Sequence, residues 1–115
     1  MKIPTDGKLL RIFVGEADRW HGAPLYQAIV EEARKQGLAG ATVWKGFVGF
    51  GAHSRLHTAT ILRLSTDLPV VIEIVDAAEK IEAFLPHLDA MVQEGLVTVE
   101  RVEVILYRGP ATPRS

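Results

Sequence analysis

Cysteine is absent from this 115-residue chain. That excludes a disulfide framework and any thiolate metal site. No run approaches the ~20 consecutive apolar residues that a membrane-spanning helix needs. The opening Met1-Lys2-Ile3-Pro4-Thr5-Asp6-Gly7 has no apolar segment of the secretory-leader kind. A cytoplasmic protein without membrane insertion is therefore expected. Excess positive charge is also missing: the formal net charge is −1, which argues against a general nucleic-acid binder. Carboxylates are absent from one long stretch, Ala33 to Thr66, which carries Arg34, Lys35, Lys45, Arg55 and Arg63. Positive potential is concentrated there, an arrangement better suited to a small anion than to a polymer.

What is present is ample apolar material, 48% of residues, enough for a single domain over 1–115. A chain of this size buries only roughly 65% of its unfolded surface, so a leftover apolar face would belong to an oligomer. Leu9–Val14 reads as a buried strand closed by Gly15. Pro24 suits the first position of a helix, whose apolar residues Leu25, Ala28, Ile29 and Ala33 recur at helical spacing before Gly37. Ala41–Phe50 and Leu68–Val75 read as the second and third strands. Asp76 and Glu79 have the spacing of a capping box, and Ile81, Phe84, Leu85, Leu88 and Val92 form the stripe of a second helix. Pro86 inside it predicts a kink or break. The fourth strand, Leu96–Tyr107, changes apolar parity midway, which predicts a bulge near Glu100-Arg101. Residues 109–115 form a tail.

The order β-α-β-β-α-β is the α+β split unit of the ferredoxin-like fold, a four-stranded antiparallel sheet with both helices on one face. Alternation then places Leu9 and Phe13, with Val71 and Val75 around Glu73, on the other face. So much apolar surface predicts subunits that bury it.

Lys45-Gly46-Phe47-Val48-Gly49-Phe50-Gly51-Ala52-His53-Ser54-Arg55-Leu56-His57 joins glycines to basic side chains. Glycine turns expose backbone N–H groups, and Lys45, His53, Arg55 and His57 add charge-assisted donors. The segment follows a strand and precedes a loop, so neither the Rossmann nor the P-loop pattern applies. Sheet curvature and solvated basic residues are the structural alternative for the same residues. His53 and His57 have no nearby carboxylate to complete a metal site. Trp20 can stack on a base or pack on the core.

Three motifs carry a family resemblance: Gly15-Glu16-Ala17-Asp18-Arg19-Trp20-His21-Gly22, Leu38-Ala39-Gly40-Ala41-Thr42-Val43 and Gly49-Phe50-Gly51-Ala52-His53-Ser54. Across residues 8–107 they resemble domain-of-unknown-function family 190, a PII-like family. Lys45-Gly46-Phe47 is also similar to the motif ending the second strand of PII signal-transduction proteins. The resemblance implies a PII-like homotrimer that binds an adenine nucleotide between subunits. Residues 52–66 would be the counterpart of the PII T-loop, acting in signal transduction on a protein partner such as a membrane transporter or an enzyme. Val48 stands where PII has a second glycine, and Gly95 runs into Leu96 without the glycine-rich loop that holds triphosphate. These departures favour AMP or ADP over ATP. The nucleotide contacts expected are Lys45, Gly46, Phe47, Gly49, Gly51, His53, Arg55 and His57, with Trp20 as a stacking residue and no metal or catalytic group. The alternatives are a small dimeric α/β-barrel enzyme using His53 or His57, and an assembly module without a ligand.

Overall fold

The computed structural model describes residues 6–49, 57–58 and 68–109. Four strands, β1 (Asp6–Gly15), β2 (Thr42–Lys45), β3 (Pro69–Ala77) and β4 (Leu96–Glu103), form one antiparallel sheet. Its spatial order is β2-β3-β1-β4. Helices α1 (Leu25–Lys35) and α2 (Ala78–Met91) complete the βαββαβ chain order. Two short ladders lie outside the main sheet, Arg19–Trp20 with Ala23–Pro24 and Val48–Gly49 with His57–Thr58.

Alternation along the central strands determines which face the helices cover. Leu10, Ile12 and Val14 of β1 and Val70, Ile72 and Ile74 of β3 are buried. They meet Leu25, Ile29 and Ala33 of α1 and Ile81, Phe84, Leu88 and Met91 of α2 in one cluster. The edge strands extend past this cover. Val43, Val97 and Val99 share the helix-side parity, yet each is more than a third exposed.

Helix α1 has Pro24, one residue earlier than the first-turn position expected, as its N-cap. Its other end closes as a Schellman motif, with Gly37 at φ +81 and N–H groups of Gly37 and Leu38 donating to the carbonyls of Arg34 and Ala33. The Lys80 ammonium donates to the Gly37 carbonyl at 3.0 Å, tying this terminus to α2.

Several local expectations are corrected. Asp76 is not the N-cap of α2: β3 runs two residues past Val75, and Ala77, whose side chain makes no capping bond, is the N-cap. Asp76 is instead the last helix-side residue of β3, and it is buried. Pro86 does not break α2, which is continuous from Ala78 to Met91. Pro86 is exposed, so the lost donor faces solvent while the apolar stripe packs on both sides of it. The second strand is split, with Thr42–Lys45 in the sheet and Val48–Gly49 in a separate ladder. No bulge interrupts β4, which pairs with β1 in constant register from Asp6↔Glu103 to Phe13↔Leu96. The parity change is a change of face: Val97 and Val99 lie on the helix side and Val102 on the open side. The strand then ends at Glu103 rather than Tyr107, leaving Ile105 and Leu106 exposed.

Gly95 connects α2 to β4 against the backbone of β1, where an added Cβ would lie 2.6 Å from the Phe13 carbonyl oxygen and 3.1 Å from Val92. Neither a carbonyl in a ladder nor a packed valine can withdraw freely. Gly95→Ala is therefore expected to destabilise the fold by about 1–3 kcal/mol, the usual cost of overpacking, read as a lower urea midpoint with unchanged slope.

Candidate functional site

The uncovered sheet face is organised around Arg11, at the middle of the central strand. Its guanidinium bonds Glu73 of β3 through Nε at 2.8 Å and reaches Glu100 of β4 through Nη1 at 3.4 Å. Glu73 also accepts from the Trp44 indole of β2 at 3.0 Å. One charged chain thus crosses all four strands, with Leu9, Phe13, Val71 and Val75 beside it on the same face. The hydrogen bond from Arg11, and then that from Trp44, hold the Glu73 carboxyl below its ordinary range. The Arg11 guanidinium is pushed up, chiefly by its hydrogen bond to Glu73.

At the end of this face where β3 approaches α2, the sheet borders a shallow cavity, open to solvent, of about 380 Å³. Leu9 and Val75, partners in the β1–β3 register, supply apolar wall. Ala39, Gly40 and Ala41 form a small-residue wall from the α1–β2 connection, and Thr42, Glu73 and Tyr107 bring polar groups. A hydroxyl, a carboxylate, a phenol and main-chain amides around apolar side chains can hold a flat, half-polar ring. The motif reading did not single out these residues as a site. The usable signal was Leu38-Ala39-Gly40-Ala41-Thr42, whose small side chains leave room beside strand ends that alternation had already turned to the open face.

Lys45 and the glycines lie at the opposite end of β2. Lys45 bonds Glu16 at 2.8 Å and, by alternation, belongs to the helix side of the strand, opposite to Thr42 and Trp44. Gly46 and Gly49 have a packing role: a Cβ at either would come within 2.8 and 2.9 Å of the Pro69 ring. The Gly46 N–H is already donated to the Pro69 carbonyl at 2.7 Å, so close approach to Pro69 accounts for both glycines. Phe47 is 80% exposed. For His57 only the backbone pairing with Gly49 is described, and Gly51, His53 and Arg55 lie outside the described residues. The cavity and the Lys45–Gly49 turn are thus separate features at the two ends of one edge strand.

Trp20 packs on the core and stacks on His21, with ring centroids 4.1 Å apart and planes 17° from parallel. The geometry follows from a tight hairpin in which His21 and Gly22 both have positive φ. One indole face is therefore occupied by imidazole. Among the described residues, no group of three or more His, Asp or Glu side chains is placed to hold a metal ion, and no helix is long and apolar enough to cross a membrane.

The chain order, the sheet order and the confinement of both helices to one face define a ferredoxin-like α+β protein of PII-like architecture. The family model DUF190, "Uncharacterized ACR", matches residues 7–104, and the chain belongs to that family. A UPF0166 protein of Aquifex aeolicus is 42% identical over 98 residues, covering 85% of this chain and 92% of the relative. One from Methanocaldococcus jannaschii is 37% identical over 103 residues, with 89% and 93% covered. Among solved structures, CPII, a nitrogen regulatory PII-like protein from Thiomonas intermedia K12 bound to ADP, AMP and bicarbonate, has a similar fold. The TM-score is 0.59 at 20% identity, covering 86% of this chain and 88% of CPII. CPII bound to ADP, AMP and acetate matches at a TM-score of 0.56, with 90% and 92% covered.

Because its folded-state pKa is depressed, Glu73 contributes stability that is complete above its unfolded pKa and is lost as pH falls through the folded value. Acidification below the ordinary carboxylate value of 4.5 should release the bonds from Arg11 and Trp44. The Trp44 indole N–H resonance is expected to move in that window. In Glu73→Gln it should be shifted at neutral pH and insensitive to acid, and the acid-dependent loss of stability should be smaller.

Proposed function

We propose that this protein is a non-enzymatic, PII-like regulatory protein that binds an adenine nucleotide between copies of itself. AMP or ADP is favoured over ATP, and occupancy is relayed to a protein partner through residues 52–66. The observation that carries the nucleotide reading is the cavity at the start of β2. Its volume lies within the range of small-molecule sites, and its mixed lining can accept a purine. Leu9 and Val75 suit the ring faces, while Glu73 can accept from an exocyclic amine and Thr42 and the amides of 39–41 can serve the ring nitrogens. The PII-like proteins of similar fold were solved with ADP and AMP bound, which supports the same ligand class here.

From Thr42 to Lys45 the edge strand advances about 10 Å at ~3.3 Å per residue, a distance a nucleotide can span. In this reading the base sits in the cavity and the phosphates pass over the strand edge to the basic end of β2. There Lys45, on the other face of the strand, would exchange Glu16 for phosphate, and Arg55 and His53 would join. This exchange links ligand to loop: the Glu16 N–H is bonded to the Leu68 carbonyl at 2.8 Å, beside the return of the chain into β3. The trimer is supported by the open face, where Trp44 and Leu96 are each more than half exposed around the Arg11 network. Burying Arg11 between its two carboxylates in a subunit contact would keep the charge paired while the apolar residues leave water.

Calorimetric titration with AMP, ADP and ATP is expected to give saturable binding in the order favouring the shorter nucleotides. Leu9→Trp, which fills the cavity, should remain folded and weaken AMP binding at least tenfold, about 1.4 kcal/mol. Arg55→Ala should cost about 1.5–3 kcal/mol, the range for a hydrogen bond to a charged group. Light scattering should give three copies. Two copies without nucleotide binding would favour the barrel enzyme instead.

A further inference from the structure

Asp76 is the one polar or charged residue in the interior among those described, 1% exposed at the end of β3. Its two oxygens are divided between two backbone donors: Oδ2 accepts from the Ala39 N–H at 2.9 Å and Oδ1 from the Ala77 N–H at 2.7 Å. Ala39 begins the small-residue wall of the cavity, and Val75, the residue before Asp76, belongs to the apolar wall. The carboxylate therefore joins two walls of the cavity from behind, without itself lining it.

We infer that Asp76 is the positioning residue of the cavity, fixing the 39–41 wall at the separation from Leu9 and Val75 that a purine requires. The inference rests on the nucleotide reading above. The chemistry of the pair of donors selects the residue type. Two half-buried N–H groups converge on one short, buried side chain, and each takes one of its oxygens as acceptor. Aspartate offers two acceptor oxygens on a single-carbon arm. Asparagine offers one, and turns an N–H₂ group toward the second donor. Serine supplies a single oxygen, and glutamate carries its oxygens one carbon farther out. Removing Oδ2 leaves the Ala39 N–H without a partner, and the connection can recover one only by moving toward water, which displaces the wall. Lys80, on the first turn of α2, fastens the same connection at the Gly37 carbonyl. That bond is exposed and lies before Ala39, so it retains the end of α1 without setting the wall.

The test compares wild type with Asp76→Asn and Lys80→Met, titrated with AMP and with adenosine at a temperature where circular dichroism shows each fully folded. Asp76→Asn is expected to lose affinity for both probes by about tenfold or more, and by the same factor, because the contact disturbed is with the base. Amide exchange should accelerate in the same variant at Ala39 or Ala77, whichever faces the amide nitrogen, while Lys80→Met keeps wild-type affinity. A folded Asp76→Asn that binds both probes like wild type overturns the inference and leaves the nucleotide reading intact. Wild type that binds neither probe removes both. Should Asp76→Asn fail to fold, exchange in wild type decides: the Ala39 amide should be protected and become more so with AMP, and an Ala39 amide that exchanges freely or ignores AMP overturns the assignment.

Discussion

Every other part of the fold depends on β1 being paired on both sides. It is the one strand whose neighbours, β3 and β4, both run antiparallel to it over nearly its whole length. That double pairing commits Leu10, Ile12 and Val14 to one face and Leu9, Arg11 and Phe13 to the other. Each fully buried branched side chain contributes roughly 1.5–3 kcal/mol, so the helix-side row decides where α1 and α2 must lie. A slip of one residue would exchange the rows and place Arg11 under the helices, away from Glu73 and Glu100.

The same commitment makes the opposite face electrostatic as well as apolar. Arg11 is the only cation in the chain of contacts from Trp44 to Glu100, and it serves two carboxylates from different strands. Such a group ties β1, β3 and β4 at the centre of the face, while apolar residues surround it. The surface thus leaves apolar side chains open to solvent around one paired charge.

Much of this architecture was legible because period-2 and period-3.6 patterns are strong where a residue is buried on one side only. Leu9–Val14, Leu68–Val75, the α1 spacing Leu25, Ile29, Ala33 and the α2 stripe all name the core correctly. The errors occurred where one residue served two constraints. Asp76 has the composition of a helix cap, but its carboxylate is used by a connection 37 residues away in sequence, which no local rule detects. Pro86 reads as a breaker, yet its missing donor falls on the wet side. In β4 the apolar parity changes because the strand serves both faces in turn, and a sequence pattern cannot distinguish that from a bulge. The site was legible in part. The basic glycine segment was visible as a motif, whereas the cavity draws on β1, β2, β3, a connection and Tyr107, a set that only the folded register brings together.

The seating of Gly46 and Gly49 on Pro69 has an evolutionary consequence. The chain leaves the sheet and re-enters it at a single point of backbone contact, so the intervening segment is a closed excursion whose ends are joined by the fold itself. Lengthening such an excursion twofold costs only about 0.6 kcal/mol of closure entropy. Such a closure leaves the length of the segment nearly free of the stability of the sheet, so a longer or shorter insertion at this point could be accepted without rebuilding the domain.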